Sequence, residues 1–543
     1  MPSDKVALES VDRKSPGSSL FMRLAKGVLL FALCSSLRFS AQSTASPAAG
    51  GQGDAPSSYH LSVTARVVVL DVVISDKQGH LVQRDDLTRD DFTVFEGGAR
   101  QRILSFETPS MHAMPPESTP IVNSAADLQK IGESPVTILV LDELNSQFQD
   151  MSFARQMMVK YLQAQTPVLK QPTALMVAQN SKFVQVHDYT QNRDELIDIV
   201  KKHMPEYPWR MMGGTGGGAL AVERMAQTLA ALQQLAQASR GTRGRKNVIW
   251  VGNGTPTADL VGLDDEHAAV ITGAVRAVTA KLLASRVTVY TINPMAGSSS
   301  TVDVETPDDL NTAAATATGM GPFGSGTINF SDFAVSTGGL AFQGRNDLNN
   351  VIAEGIARGS DYYTLSYSPT NKSDDPTKFR NISIVMKDPN LRATTRVGYF
   401  EETAADMNPL MDKTITAKQK QKDLELDLTQ ALNTTMTYNG LTLAVDEKKD
   451  DYAIRVTGGN LTWSDPSAKD VEHAEATVAV AWYDKDGKMV GHLVREETAP
   501  RENGKPGAAF TLTLPVSRPR GVRTRIVVRD AIGGQMGTID LEK

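Results

Sequence analysis

Apolar and polar positions fall into stretches of different period along this chain. The strongest signal is residues 136–146, where Val136, Ile138, Leu139, Val140 and Leu141 form a β-favouring run. That run stops abruptly at Asp142, Glu143, Leu144, Asn145 and Ser146. A continuous apolar run predicts a strand buried on both faces. Asp142 then falls at the carboxyl end of the strand, where open α/β sheets place their ligands. Residues 153–162 follow with helical apolar spacing. Strands are predicted again at 173–178, 182–186, 247–251 and 287–292, and helices at 194–203, 219–238, 266–284 and 348–358. The 173–178 and 182–186 pair reads as a hairpin giving the sheet an antiparallel edge. Strands alternating with helices of this length predict a doubly wound, mostly parallel sheet across residues 135–360.

Period-two alternation dominates on either side. Residues 60–108 carry it, with a turn at Asp76-Lys77-Gln78-Gly79, and predict a small β-sandwich-like domain. Residues 109–134 are a linker containing Pro and Ser. Residues 361–401 alternate as a β extension of the central domain, 402–424 form a polar connector, and 425–543 predict a C-terminal β-sandwich. Asp484-Lys485-Asp486-Gly487 repeats the Asp-Lys-x-Gly turn in that module. Residues 296–325 are rich in Gly, Ser, Thr and Ala without periodicity and read as a mobile insertion. The fold class expected is therefore multidomain α/β plus β: a central doubly wound sheet flanked by N- and C-terminal antiparallel sandwiches.

The 142–146 loop resembles the metal-site loop of von Willebrand factor type A (VWA) domains, and the chain is most similar to VWA-related proteins exported by bacteria. Further residues carry the likeness: Tyr362-Tyr363-x-Leu365-x-Tyr367, Pro369-x-Asn371, Lys378-Phe379-Arg380 and Arg396-Val397-Gly398-Tyr399-Phe400. It covers roughly residues 62–401 and implies a Rossmann-like sheet. The family loop reads Asp-x-Ser-x-Ser; here it is Asp142, Leu144 and Ser146, so one hydroxyl ligand is lost. The resemblance implies a degenerate Mg²⁺ site of Asp142, Ser146, Thr215 and Asn253, with Glu143 as a nearby substitute carboxylate. Asn253 stands where the family usually has Asp. A partner-binding edge would comprise Asn145, Ser146, Gly214, Thr215, Asn253 and Asn293. On the residues alone, Asp142 and Ser146 also suit the cap of the following helix.

Composition narrows the function. The chain has 543 residues, 41% hydrophobic and 22% charged, as expected of several folded domains. A net charge of −6 argues against nucleic acid as partner. Basic residues precede an apolar run at 27–33, and Ser43-Thr44-Ala45 is a small-residue cleavage pattern, so residues 1–45 read as an export signal and 46–59 as a flexible leader. Arg38 interrupts the apolar stretch, leaving no membrane span in the mature chain. Export implies a periplasmic, cell-surface or extracellular protein. The single cysteine, Cys34, lies in that signal, which excludes thiol catalysis and Cys-ligated metals from the mature protein. The eight histidines show no His-x-x-x-His pair, and no nucleophile elbow or Walker loop occurs. No catalytic residue is predicted. These features together point to an exported, non-enzymatic protein-binding protein of adhesion or assembly type. The alternatives are a structural envelope protein with a vestigial metal site and, third, a hydrolase using the same edge.

Overall fold

The computed structural model describes residues 67–114, 119–180, 182–205, 218–255, 257–259, 263–294, 327–370, 378–401, 404–447, 451–457, 461–463, 472–501, 509–515 and 521–542. The export signal, the leader, the 296–325 insertion, Gly214 and Thr215 lie outside the described residues.

All seven residues of Val136–Asp142 are buried, because they alternate between two apolar layers. Ile138 and Val140 face one layer and Leu139 and Leu141 the other. The strand lies inside a six-stranded mixed sheet. The order is Ala341–Gln343, Val287–Asn293, Lys246–Val251, Val136–Asp142, Val168–Ala178 and Phe183–Asn192. The first four neighbouring pairs are parallel, and the Phe183–Asn192 edge is antiparallel. Helices Gly218–Ser239 and Asp265–Ala284 bury Leu232, Leu235, Val275 and Leu282 against one face. Helices Phe148–Gln163, Arg193–Lys202 and Leu348–Ser360 bury Met151, Met158, Leu196, Val200, Val351 and Ile352 against the other. Each such side chain contributes about 1.5–3 kcal/mol of transfer free energy. Asp265–Ala284 is the one helix among the described residues long and apolar enough to cross a membrane; here its apolar face is part of this core.

Helix ends fix the loops at the strand termini. The Asn192 side chain accepts from Asp194 N and Glu195 N to start Arg193–Lys202. At its far end an Arg155 guanidinium N–H donates to Val200 O (2.8 Å) and His203 O (2.7 Å), filling carbonyls that the helix cannot pair itself.

The expected fold class needs correction. Antiparallel pairing predominates across the described chain. Five further sheets are all antiparallel, and the parallel pairs are confined to the one mixed sheet. A central doubly wound parallel sheet of the VWA kind with a module at each end does not describe this molecule. In particular, residues 60–108 do not form an N-terminal sandwich of their own. Val68–Ser75 pairs with Tyr363–Tyr367 and Arg392–Thr394, and Tyr363–Tyr367 pairs in turn with Ile103–Glu107. Phe92–Glu96 pairs with Arg380–Met386 and Ala99–Gln101. Two sheets woven from both regions enclose one core of Leu70, Val72, Phe92, Val94, Tyr363, Leu365 and Ile382. The physical reason is that two edges of an amphipathic strand need partners, and the β strands after helix Leu348–Ser360 supply them. Buried Glu96 closes this core, accepting from Tyr367 Oη (2.6 Å), Tyr399 Oη (2.9 Å) and Arg380 Nη1 (2.9 Å).

The C-terminal region does contain two facing sheets, Thr442–Glu447, Asp451–Thr457, Phe510–Pro515 and Met489–Pro500, His473–Tyr483, Arg523–Asp530, Met536–Glu542. Ile454, Leu512, Val478 and Ile526 fill the space between them. Helix Ala417–Asn433 covers the outer face through Leu428, Ala431 and Leu432. The two Asp-Lys-x-Gly turns share one chemistry. Asp76 Oδ1 accepts from Gln78 N and His80 N, and Asp484 Oδ1 from Asp486 N and Lys488 N. Gly79 and Gly487 take the positive φ (86° and 74°) that each turn requires.

Candidate functional site at the strand ends

The Lys246–Val251 strand runs beside Val136–Asp142 and ends in Gly252-Asn253-Gly254. Gly252 takes φ 146°, and a Cβ there would run into Asp142 Cβ and Ser146 Oγ. Gly254 takes φ 68° against the Phe330 ring. Two glycines therefore let the backbone close over the carboxylate, which side-chain-bearing residues could not do.

Asp142 is fully buried. Its Oδ1 accepts from Asn145 N (3.0 Å) and Asn145 Nδ2 (3.3 Å). Its Oδ2 accepts from Gly254 N (2.7 Å), Trp250 Nε1 (3.2 Å) and Asn145 Nδ2 (3.3 Å). Asn145 Nδ2 also reaches Thr228 Oγ1 at 3.1 Å. Ser146 Oγ accepts from Asn253 N (3.0 Å), and Asn253 Nδ2 donates to Asn145 O (3.1 Å). Burial pushes the Asp142 carboxyl up to about 6, while the bonds from Trp250, Asn145 and Gly254 pull against that rise.

The structure thus brings together Asp142, Asn145, Ser146 and Asn253. Asn293 sits at the same sheet edge, where Gly252 N donates to Ile292 O at 2.9 Å. Leu144 is buried in the apolar layer that also holds Trp250 and Leu232, a place no ligand would occupy. Glu143 is buried, with its Oε1 2.7 Å from His203 Nε2, a contact apart from the bonds around Asp142.

These residues do not fit Mg²⁺. The ion needs oxygen lone pairs converging at about 2.0–2.1 Å. Here N–H groups of Asn145, Trp250 and Gly254 already meet both Asp142 oxygens, so an ion would have to displace them; the buried Asn145 Oδ1 is the oxygen left without a partner, and Thr215 lies outside the described residues. The Trp250 indole is part of that seal, and packs its ring against Phe330 at 5.0 Å. Residue types alone identified the acid but not what its oxygens face.

Two features of this edge escaped the sequence. His203 reaches Glu143 only because Arg193–Lys202 ends there. Asp332, at the start of helix Ser331–Thr337, accepts from Asn329 N (2.7 Å), and burial pushes it up to about 7. Phe148 and Met204 stand exposed at the same edge, 60% and 82% accessible. One begins the helix after Asp142, and the other follows the helix that ends at His203.

No family model matches the chain, and no curated protein matches it. Among solved structures, it is similar to the pilus adhesin SpaC of Lactobacillus rhamnosus GG at 8% identity, over 75% of this chain and 53% of that one, with a TM-score of 0.22. A hypothetical protein of Pyrococcus horikoshii OT3 matches at 12% identity over 19% of this chain and 84% of that one, TM-score 0.11. A Bacteroides uniformis beta-glucuronidase matches at 9% identity, 34% of this chain and 19% of that one, TM-score 0.11. Overlaps this loose carry no argument about fold or activity.

Proposed function

We propose that the chain is an exported, non-enzymatic protein-binding protein of adhesion or assembly type, and that it engages its partner through the strand-end edge without a metal. The observation supporting this is the sealed Asp142 carboxylate. Its oxygens are spent on Asn145, Trp250 and Gly254, so it offers neither a base to a substrate nor a ligand to a cation. What the edge offers to a partner is exposed apolar surface at Phe148 and Met204, beside the hydrogen-bonded loop. Export is supported by the basic and apolar pattern of residues 1–45. The same sealed carboxylate favours a second reading, a structural envelope protein whose site is vestigial.

The experiment compares capture from the exported fraction of the native cell by the intact chain and by a Phe148→Glu/Met204→Glu variant. The binding reading expects one defined partner, lost at least tenfold in the variant and indifferent to a chelator. Equal capture by both chains would overturn it in favour of the structural reading.

A further inference from the structure

Glu107, His112 and Glu133 come together away from the strand-end edge. Glu107 ends strand Ile103–Glu107, His112 ends the short helix Pro109–His112, and Glu133 precedes strand Val136–Asp142. One ligand atom from each lies within 4.8 Å of the other two. His112 is buried at 2% exposure, with its ring stacked on Tyr362 at 4.8 Å and 10°. That stacking fixes the ring plane and aims Nε2 at Glu107 Oε2 (3.5 Å) and Thr364 Oγ1 (3.2 Å).

We propose that Glu107, His112 and Glu133 form a binding site for a divalent transition-metal ion of the zinc class, with one imidazole nitrogen, two carboxylate oxygens and water completing the shell. An imidazole with carboxylates suits Zn²⁺ better than Mg²⁺, which takes oxygen ligands only. Around a tetrahedral ion with bonds of about 2 Å, ligand atoms sit about 3.3 Å apart. The present spacing closes to that by side-chain rotation of the two glutamates, both partly exposed, toward the fixed ring.

The surrounding charges set the competition. Arg286 Nη1 lies 3.6 Å from Glu133 Oε2, while its Nη2 is held by Asp71 at 2.6 Å. An arriving cation displaces only the first contact, since Asp71 keeps the guanidinium. The two glutamates are the anionic ligands, with the Arg286 and Arg245 guanidiniums 6.0 and 5.2 Å from the centroid of the same Tyr362 ring. Arg286 holds its place at φ 51°, the only non-glycine with positive φ among the described residues. Such an ion would tie the 109–134 segment to both the woven β core and the mixed sheet.

Calorimetric titration of the full chain with Zn²⁺ tests this, alongside Glu107→Gln and Glu133→Gln, which keep side-chain volume. His80→Ala, at an exposed turn histidine, controls for adventitious binding. One saturable site is expected, weakened at least tenfold by each glutamine variant and unchanged by His80→Ala. A Zn²⁺-dependent rise in melting temperature should vanish in the same two variants. No saturable binding to the intact chain, or equal binding in both glutamine variants, overturns the site. Partner capture at the strand-end edge does not depend on these residues, so either reading can fail alone.

Discussion

Two sites in this molecule differ in what faces their carboxylates. Around Asp142, protein N–H groups meet the carboxylate from Asn145, Trp250 and Gly254, and the site is closed. At Glu107, His112 and Glu133, two carboxylates and an imidazole face one another, with a guanidinium at the margin. The difference is the direction of the lone pairs. A carboxylate whose oxygens are already satisfied is a structural acceptor, whatever motif surrounds it. The imidazole aimed at Glu107 and Thr364, with Glu133 within 4.8 Å, is the arrangement proposed to take a cation.

The largest effect is expected at the glycines. Gly252→Ala puts a Cβ into Asp142 and Ser146 at a φ that disfavours side chains. A loss of about 3 kcal/mol or more in urea unfolding is expected, and an unchanged midpoint would show that the loop does not need to lie against the acid. Asp142→Ala strands Trp250 Nε1, Gly254 N and Asn145 N in a dry pocket. Unpaired buried donors of this kind should cost about 2–3 kcal/mol, read in the same assay.

A smaller effect comes from pH. The folded Asp142 carboxyl titrates near 6, above the ordinary unfolded value of about 3.9. The folded state therefore holds the proton more tightly. This group's contribution to stability falls as pH rises from about 4 to 6 and is flat above that. Asp332, pushed to about 7, acts with the same sign over a window reaching slightly higher. Stability curves of the intact chain minus those of Asp142→Ala should show this slope, and parallel curves would contradict it. The smallest effect sharpens the other half of the comparison. Glu133→Gln alone, without metal, should shift stability by less than about 1 kcal/mol, because Glu133 is exposed and its Arg286 contact is long.

Local pattern made much of this legible. The Val136–Asp142 strand, the long helices and both Asp-Lys-x-Gly turns follow from apolar period and turn chemistry. The woven β core was hidden, because Val72 pairs with Tyr363 and Phe92 with Met386, and no local period reports a partner so distant in the chain. The same limit applied at the sites. Asp142 was visible as a strand-end acid, but nothing in the sequence marks Trp250 as its hydrogen-bond donor, and it is both core and donor. His112 and His203 looked scattered because their glutamate partners are brought to them by tertiary folding.

A metal-free strand-end edge, as proposed, requires that Asp142 bind no Mg²⁺. Calorimetric titration of the full chain with Mg²⁺ at neutral pH tests it most directly, with Asp142→Ala in parallel. The account predicts no saturable heat from either chain. A saturable isotherm for the intact chain that disappears in Asp142→Ala would contradict it.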